Sequence, residues 1–227
     1  MGSVTFLYAG AVADKYWTVP VGVPKITVQA WGPGGNSTTG SGTQGGSGGG
    51  AYSAIVDYPV SAGDVYYAWA GKYGSDTYVS EDTEEGTKIV LAKTGGQTNG
   101  TTGAAGGDAA SGIGDIKYSG GTGGNGVYEG SAGGGGGSAG SGGDGGNGGN
   151  GGAYGGTAGS AGAASSPLLG GAKGGPGCDS SNDPVDADQP GGGCGGASAG
   201  KYALPGDGKI IISWEDPVNV ATFISNA

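Results

Sequence analysis

The run Gly45-Gly46-Ser47-Gly48-Gly49 has the Gly-x-Ser-x-Gly form of a hydrolase nucleophile elbow. A serine nucleophile needs a base to take its proton, and this chain has no histidine. With 62 glycines among 227 residues, chance is the better account of the match. Several Gly-x-Gly-x-x-Gly matches are equally empty, because none opens a helix after a strand. Gly71-Lys72-Tyr73 and Gly200-Lys201-Tyr202 end in tyrosine, where a phosphate loop needs Ser or Thr. Two cysteines and no histidine exclude zinc sites of the usual nitrogen and sulfur kind. Hard-cation chemistry survives: Asp183, Asp186 and Asp188, between the cysteines, offer oxygens to Ca²⁺, although EF-hand spacing is lacking. The other acidic run, Glu81-Asp82-Thr83-Glu84-Glu85, reads as a solvated loop. Cys178 and Cys194 either pair, closing a loop of ~15 residues that contributes ~3 kcal/mol at best, or stay reduced. Tyr118, Tyr128, Tyr154 and Tyr202 sit among glycines. There they either present contact area for binding or plug gaps between glycine layers and a sheet.

The elements that would position these residues fall into three zones of one glycine-rich domain spanning 1–227. Residues 1–95 read as β-structure. Tyr16–Val19, Lys25–Trp31, Tyr52–Val56, Val65–Trp69 and Lys88–Leu91 are short runs rich in β-branched and aromatic residues, bounded by Gly and Pro. Residues 96–205 are the glycine-rich zone, and residues 206–227 return to strand chemistry in Lys209–Trp214 before a C-terminal tail. A strand at each end of the insert predicts that the last strand pairs back with the first ones. The expected fold is all-β: a short-stranded β-sandwich or jelly-roll-like sheet with an inserted bundle of polyglycine-II helices and no substantial α-helix. No stretch approaches 18 apolar residues, so no membrane insertion is expected, and the first residues lack the pattern of a signal peptide. A formal charge of −10 with no arginine argues against nucleic acid and anionic membranes.

Composition alone favours disorder for the glycine zone, since ordering glycine costs roughly 0.5–1 kcal/mol more than ordering alanine. Against that stands a period of three: Ser141, Asp144, Asn147 and Asn150 are each followed by Gly-Gly. Such a repeat fits a polyproline-II-like helix with three residues per turn, whose N–H and C=O groups point outward and need neighbours. Packed side by side, glycine helices can bond one another because no Cβ holds the backbones apart. The four polar residues would then line one exposed edge. Collagen is rejected because the run 133–152 has no proline.

The ordered series Tyr16-Trp17-Thr18-Val19-Pro20-Val21-Gly22-Val23, Lys25–Trp31 followed by Gly32-Pro33-Gly34-Gly35, Gly48-Gly49-Gly50-Ala51-Tyr52, Val60-Ser61-Ala62-Gly63-Asp64 and Gly208–Trp214 resembles a glycine-rich domain of bacteriophage tail-fibre and other virion proteins. It is similar to the polyglycine-II adhesins at the tips of T-even-like long tail fibres, over about residues 4–215. The resemblance implies a virion-surface or host-binding role, and the missing histidine and arginine imply a non-enzymatic protein without a cofactor. Its partners would be other virion proteins and a host cell-surface glycan or outer-membrane protein, met in multiple copies or as a homo-oligomer. Tail-fibre adhesin and capsid decoration or head-fibre protein both fall within that family. Flat polyglycine faces also suit an extracellular structural or ice-binding protein, although the threonines here are scattered.

Overall fold

A computed structural model describes residues 2–8, 15–37, 43–128, 131–152, 172–175, 186–196 and 203–215. Its strands are β1 (Gly2–Leu7), β2 (Tyr16–Thr18), β3 (Lys25–Trp31), β4 (Tyr52–Pro59), β5 (Val65–Trp69), β6 (Thr77–Glu81), β7 (Lys88–Ala92), β8 (Ile116–Tyr118) and β9 (Lys209–Trp214). Apart from one 3₁₀ turn at Ala109–Ser111, no helix occurs among the described residues, and none there is long and apolar enough to cross a membrane. The protein is all-β, built on two antiparallel sheets with the orders β1-β9-β3-β4-β8 and β2-β5-β6-β7.

Alternation along the strands decides which face is buried. In β3, Ile26, Val28 and Ala30 point inward; in β9, Ile210 and Ile212 do. They meet Tyr66 and Ala68 of β5, Val79 of β6 and Val90 and Ala92 of β7 in one core between the sheets. Strand β9 lies between β1 and β3, so the end of the chain does pair back with its beginning. Tight turns join neighbouring strands. Between β4 and β5, the Asp64 carboxylate accepts from the Ser61 N–H at 2.7 Å, and Gly63 takes the left-handed φ of 92° that this turn requires.

Sheet registers pass unbroken into glycine-rich segments, some of which lie before residue 96. The Trp31–Tyr52 pair of β3 and β4 continues as Gly32 N–H to Ala51 O and Gly35 N–H to Gly48 O, both at 2.8 Å. Tyr52–Tyr118 of β4 and β8 continues as Gly49 to Gly121 and Gly46 to Gly124. Trp31–Lys209 of β3 and β9 continues as Gly34 to Gly206. What changes is the spacing: bonds to a given neighbour now recur every third residue. Along 43–51, the N–H groups turn successively toward three different segments. Gly45, Gly48 and Ala51 donate to Gly100, Gly96 and Lys93; Gly46 and Gly49 donate to Gly124 and Gly121; Ser47 and Gly50 donate to Cys194 and Gly191. Its carbonyls accept from three others, around Gly35, around Ala104 and Gly107, and around Gly136 and Ala139. The chain here is therefore bonded in all directions across its axis, where a sheet strand is bonded in only two. Residues 43–50 and 131–139 are buried throughout. Added side chains have no room: a Cβ on Gly46 or Gly49 would fall on the carbonyl oxygens of Gly134 or Gly137.

At exposed positions of the described lattice, polar side chains take the place of main-chain carbonyls as acceptors. Asp144, Asn147 and Asn150 accept from the N–H groups of Ser119, Thr122 and Asn125 at 2.7–2.9 Å. Asp186 and Gln189 do the same for Leu204 and Asp207, each at 2.7 Å. Asn125 caps Gly103, and Asp76 caps Thr94. The interval of three lets each cap reach one orphan donor.

Candidate functional site

The outward face of the four-stranded sheet carries a row of aromatic rings with lysines standing on them. In β5, Tyr66 and Ala68 enter the core, so Tyr67 and Trp69 face out. Tyr16 of β2 pairs with Tyr67 in register, and Tyr78 of β6 follows on the far side. The rings form a row, with centroids 5.2 Å apart for Tyr16–Tyr67 and 6.2 Å for Tyr67–Tyr78. Tyr16 is 58% exposed, while Tyr67 lies buried beneath its neighbours.

Two lysines stand on these rings. Lys15 Nζ lies 3.7 Å from the Trp69 centroid and 5.7 Å from that of Tyr67; Lys88 Nζ lies 4.7 Å from the Tyr78 centroid. Among the described residues, neither ammonium lies within ion-pair distance of a carboxylate. Beside them is an open hollow of about 350 Å³, lined by Trp69, Ser75, Asp76, Tyr78, Glu84, Lys88 and Leu91. One wall is fixed: Asp76 is held by Lys93 Nζ at 2.6 Å and by the Thr94 N–H at 3.0 Å. Opposite, burial and the nearby Glu84 carboxylate push the Tyr78 hydroxyl up to about 12. The hydroxyl therefore remains a proton donor across the neutral range. The lining offers apolar walls, the acceptors Asp76 and Glu84 and one cation, Lys88.

The four glycine-zone tyrosines are not brought together by what the structure describes. Tyr118 packs against Trp31, Tyr52, Ala54 and Ala139 and stacks on Tyr52 at 6.4 Å. Its half-buried ring packs at the junction between sheet and lattice. Tyr128 is 74% exposed, at the end of the segment that Tyr118 begins. Tyr154 and Tyr202 lie outside the described residues.

Of the acidic trio, Asp183 lies outside the described residues and Asp186 is occupied as a backbone cap for Leu204. Among the described residues, no three His, Cys, Asp or Glu side chains gather as a metal site. Cys178 is likewise outside them, while the Cys194 thiol is free and buried. Its sulfur accepts from the Ser37 N–H at 3.1 Å and lies 3.2 Å from the Ser47 hydroxyl, and burial pushes the thiol up from its ordinary value. Ser47, the centre of the hydrolase-like run, is fully buried with its hydroxyl donating to the Gly35 carbonyl at 2.5 Å. It has no route to a substrate.

Sequence reading missed the aromatic hollow. The signal was present in the alternation of Tyr16, Tyr67, Trp69 and Tyr78 with core residues, but four rings on strands also fit a thin core, and pairing decides which face they take. No family model matches the chain, and no curated protein matches it.

Proposed function

We propose that the chain is a non-enzymatic surface protein of a bacteriophage virion, a tail-fibre adhesin that binds a host receptor from a rigid platform of packed polyglycine-II helices. The supporting observation is the joining of two features in one body. Sheet registers run directly into a three-way-bonded lattice, and the same sandwich holds an aromatic, lysine-capped hollow open to solvent. The lattice fixes the backbone with main-chain bonds worth about 1 kcal/mol each net. A preordered platform lowers the entropy lost on binding, and repeated copies on a particle multiply a modest affinity.

The test is adsorption to host cells. Purified folded protein should bind them and compete with virions, lowering infection in a dose-dependent way. Folded protein that neither binds nor competes would shift the assignment to capsid decoration.

A further inference from the structure

We infer that Asn99 is a site of spontaneous deamidation in the folded protein, and that its conversion loosens the corner of the lattice at Gly45. This chemistry does not depend on what the protein binds. The chain has four Asn-Gly pairs: Asn99-Gly100, Asn125-Gly126, Asn147-Gly148 and Asn150-Gly151. In such a pair the glycine backbone nitrogen, once it has lost its proton, attacks the asparagine Cγ. A new C–N bond closes a cyclic imide, and the side-chain nitrogen leaves as ammonia. Water then opens either carbonyl of the ring, giving Asp or an isoaspartyl linkage. The balance is one water consumed and one ammonia released. Glycine favours the step because it has no Cβ to obstruct the approach and its backbone turns freely. A glycine N–H already held in a hydrogen bond must first be released by local opening.

Three of the pairs are locked. The N–H groups of Gly126, Gly148 and Gly151 donate to the carbonyls of Thr101, Thr122 and Asn125 at 2.7–2.8 Å. The side chains are held as well: Oδ1 of Asn125, Asn147 and Asn150 accepts from the N–H of Gly103, Thr122 and Asn125 at 2.8–2.9 Å. The fourth pair differs on every count. Asn99 and Gly100 are exposed and lie in a bend. Among the described residues, neither the Gly100 N–H nor the Asn99 side chain has a hydrogen-bond partner. Nothing lies within 4 Å of where a Gly100 Cβ would stand, so the ring has room to close. The Gly100 carbonyl, by contrast, accepts from the Gly45 N–H at 2.8 Å and from the Thr98 hydroxyl at 3.2 Å. Conversion of Asn99 therefore sets a new carboxylate, and in the isoaspartyl form an added backbone methylene, beside the bond that ties Gly45 into the lattice.

The experiment ages the folded chain in mildly alkaline buffer and follows the four Asn-Gly peptides by mass spectrometry, with the guanidinium-unfolded chain as reference. All four pairs are the same dipeptide, so the unfolded chain should convert them at comparable rates. In the folded protein Asn99 should convert close to its unfolded rate. Asn125, Asn147 and Asn150 should convert at least ~10-fold more slowly, because each must first give up a main-chain and a side-chain bond. Gly100→Ala adds a Cβ in open space and should slow Asn99 several-fold while leaving the other three pairs unchanged. In the converted fraction the Gly45 amide should exchange faster than in fresh protein, with Gly49 unaltered. Equal rates at the four pairs of the folded chain, slower conversion of Asn99 than of Asn147 or Asn150, or a Gly45 amide indifferent to conversion would each overturn the inference.

Discussion

At the scale of single residues, glycine here is set by space. A Cβ on Gly49 would land on the Gly137 carbonyl, a backbone atom with no rotamer to yield. Gly49→Ala should therefore lower stability by about 3 kcal/mol, at the upper end of ordinary overpacking, because main-chain bonds on several sides must shift together. Gly100 meets nothing within 4 Å, and its φ lies outside the left-handed region. Gly100→Ala should be neutral or stabilising by up to about 1 kcal/mol, since it restricts only the unfolded chain. Urea denaturation midpoints compare the two. Tyrosines supply a pH prediction. Burial pushes Tyr52 and Tyr58 up to about 12, and the Glu81 carboxylate that accepts from the Tyr58 hydroxyl adds to the effect there. The folded state thus holds these protons more tightly than the unfolded state, whose value is 10.0. Their contribution is complete below pH 10 and is lost as the pH rises toward 12. Denaturation midpoints should fall across that window, and tyrosinate absorbance should show a late-titrating fraction.

At the scale of elements, the side-chain caps are the testable device. Asn147→Ala removes the acceptor for the Thr122 N–H and should cost about 1 kcal/mol, with faster amide exchange at Thr122. Asn147→Asp keeps an acceptor oxygen and should retain most of the protection. Equal exchange in wild type and Asn147→Ala would show that water serves Thr122 as well as the side chain does. The strands were unevenly legible. β3, β4, β5, β7 and β9 are dense in apolar and β-branched residues. β6 reads Thr77-Tyr78-Val79-Ser80-Glu81 and runs into an acidic turn, so its many polar residues hid it. β1 and β8 are edge strands whose side chains are only partly buried, so selection for an apolar pattern is weak there.

For the whole molecule, protection should be concentrated where bonding is three-way. Amides at Gly46, Gly49, Gly136 and Ser138 should exchange only through global unfolding, matching the free energy from denaturation. Those of the segment 145–151 should open more readily, because its residues lie nearer solvent. Uniformly fast exchange at 133–139 would remove the rigid platform on which the adhesin reading depends. Strand β9 closes the sandwich across nearly the full chain length, so truncation before Lys209 should abolish folding of the entire protein rather than trim an end.

The amino-acid sequence determined the strand chemistry, the glycine insert with its period of three, and the polar residues at each third position. Those are local properties: propensity, side-chain size and spacing are fixed by neighbours along the chain. Only the tertiary structure decided that Tyr118 packs at a junction, that Asp186 caps a backbone donor, that Ser47 is sealed in the lattice, and that Tyr16, Tyr67, Trp69 and Tyr78 share an outer face. Each of those outcomes depends on which distant segment lies alongside, and in a lattice held by main-chain bonds the side chains do little to specify that partner.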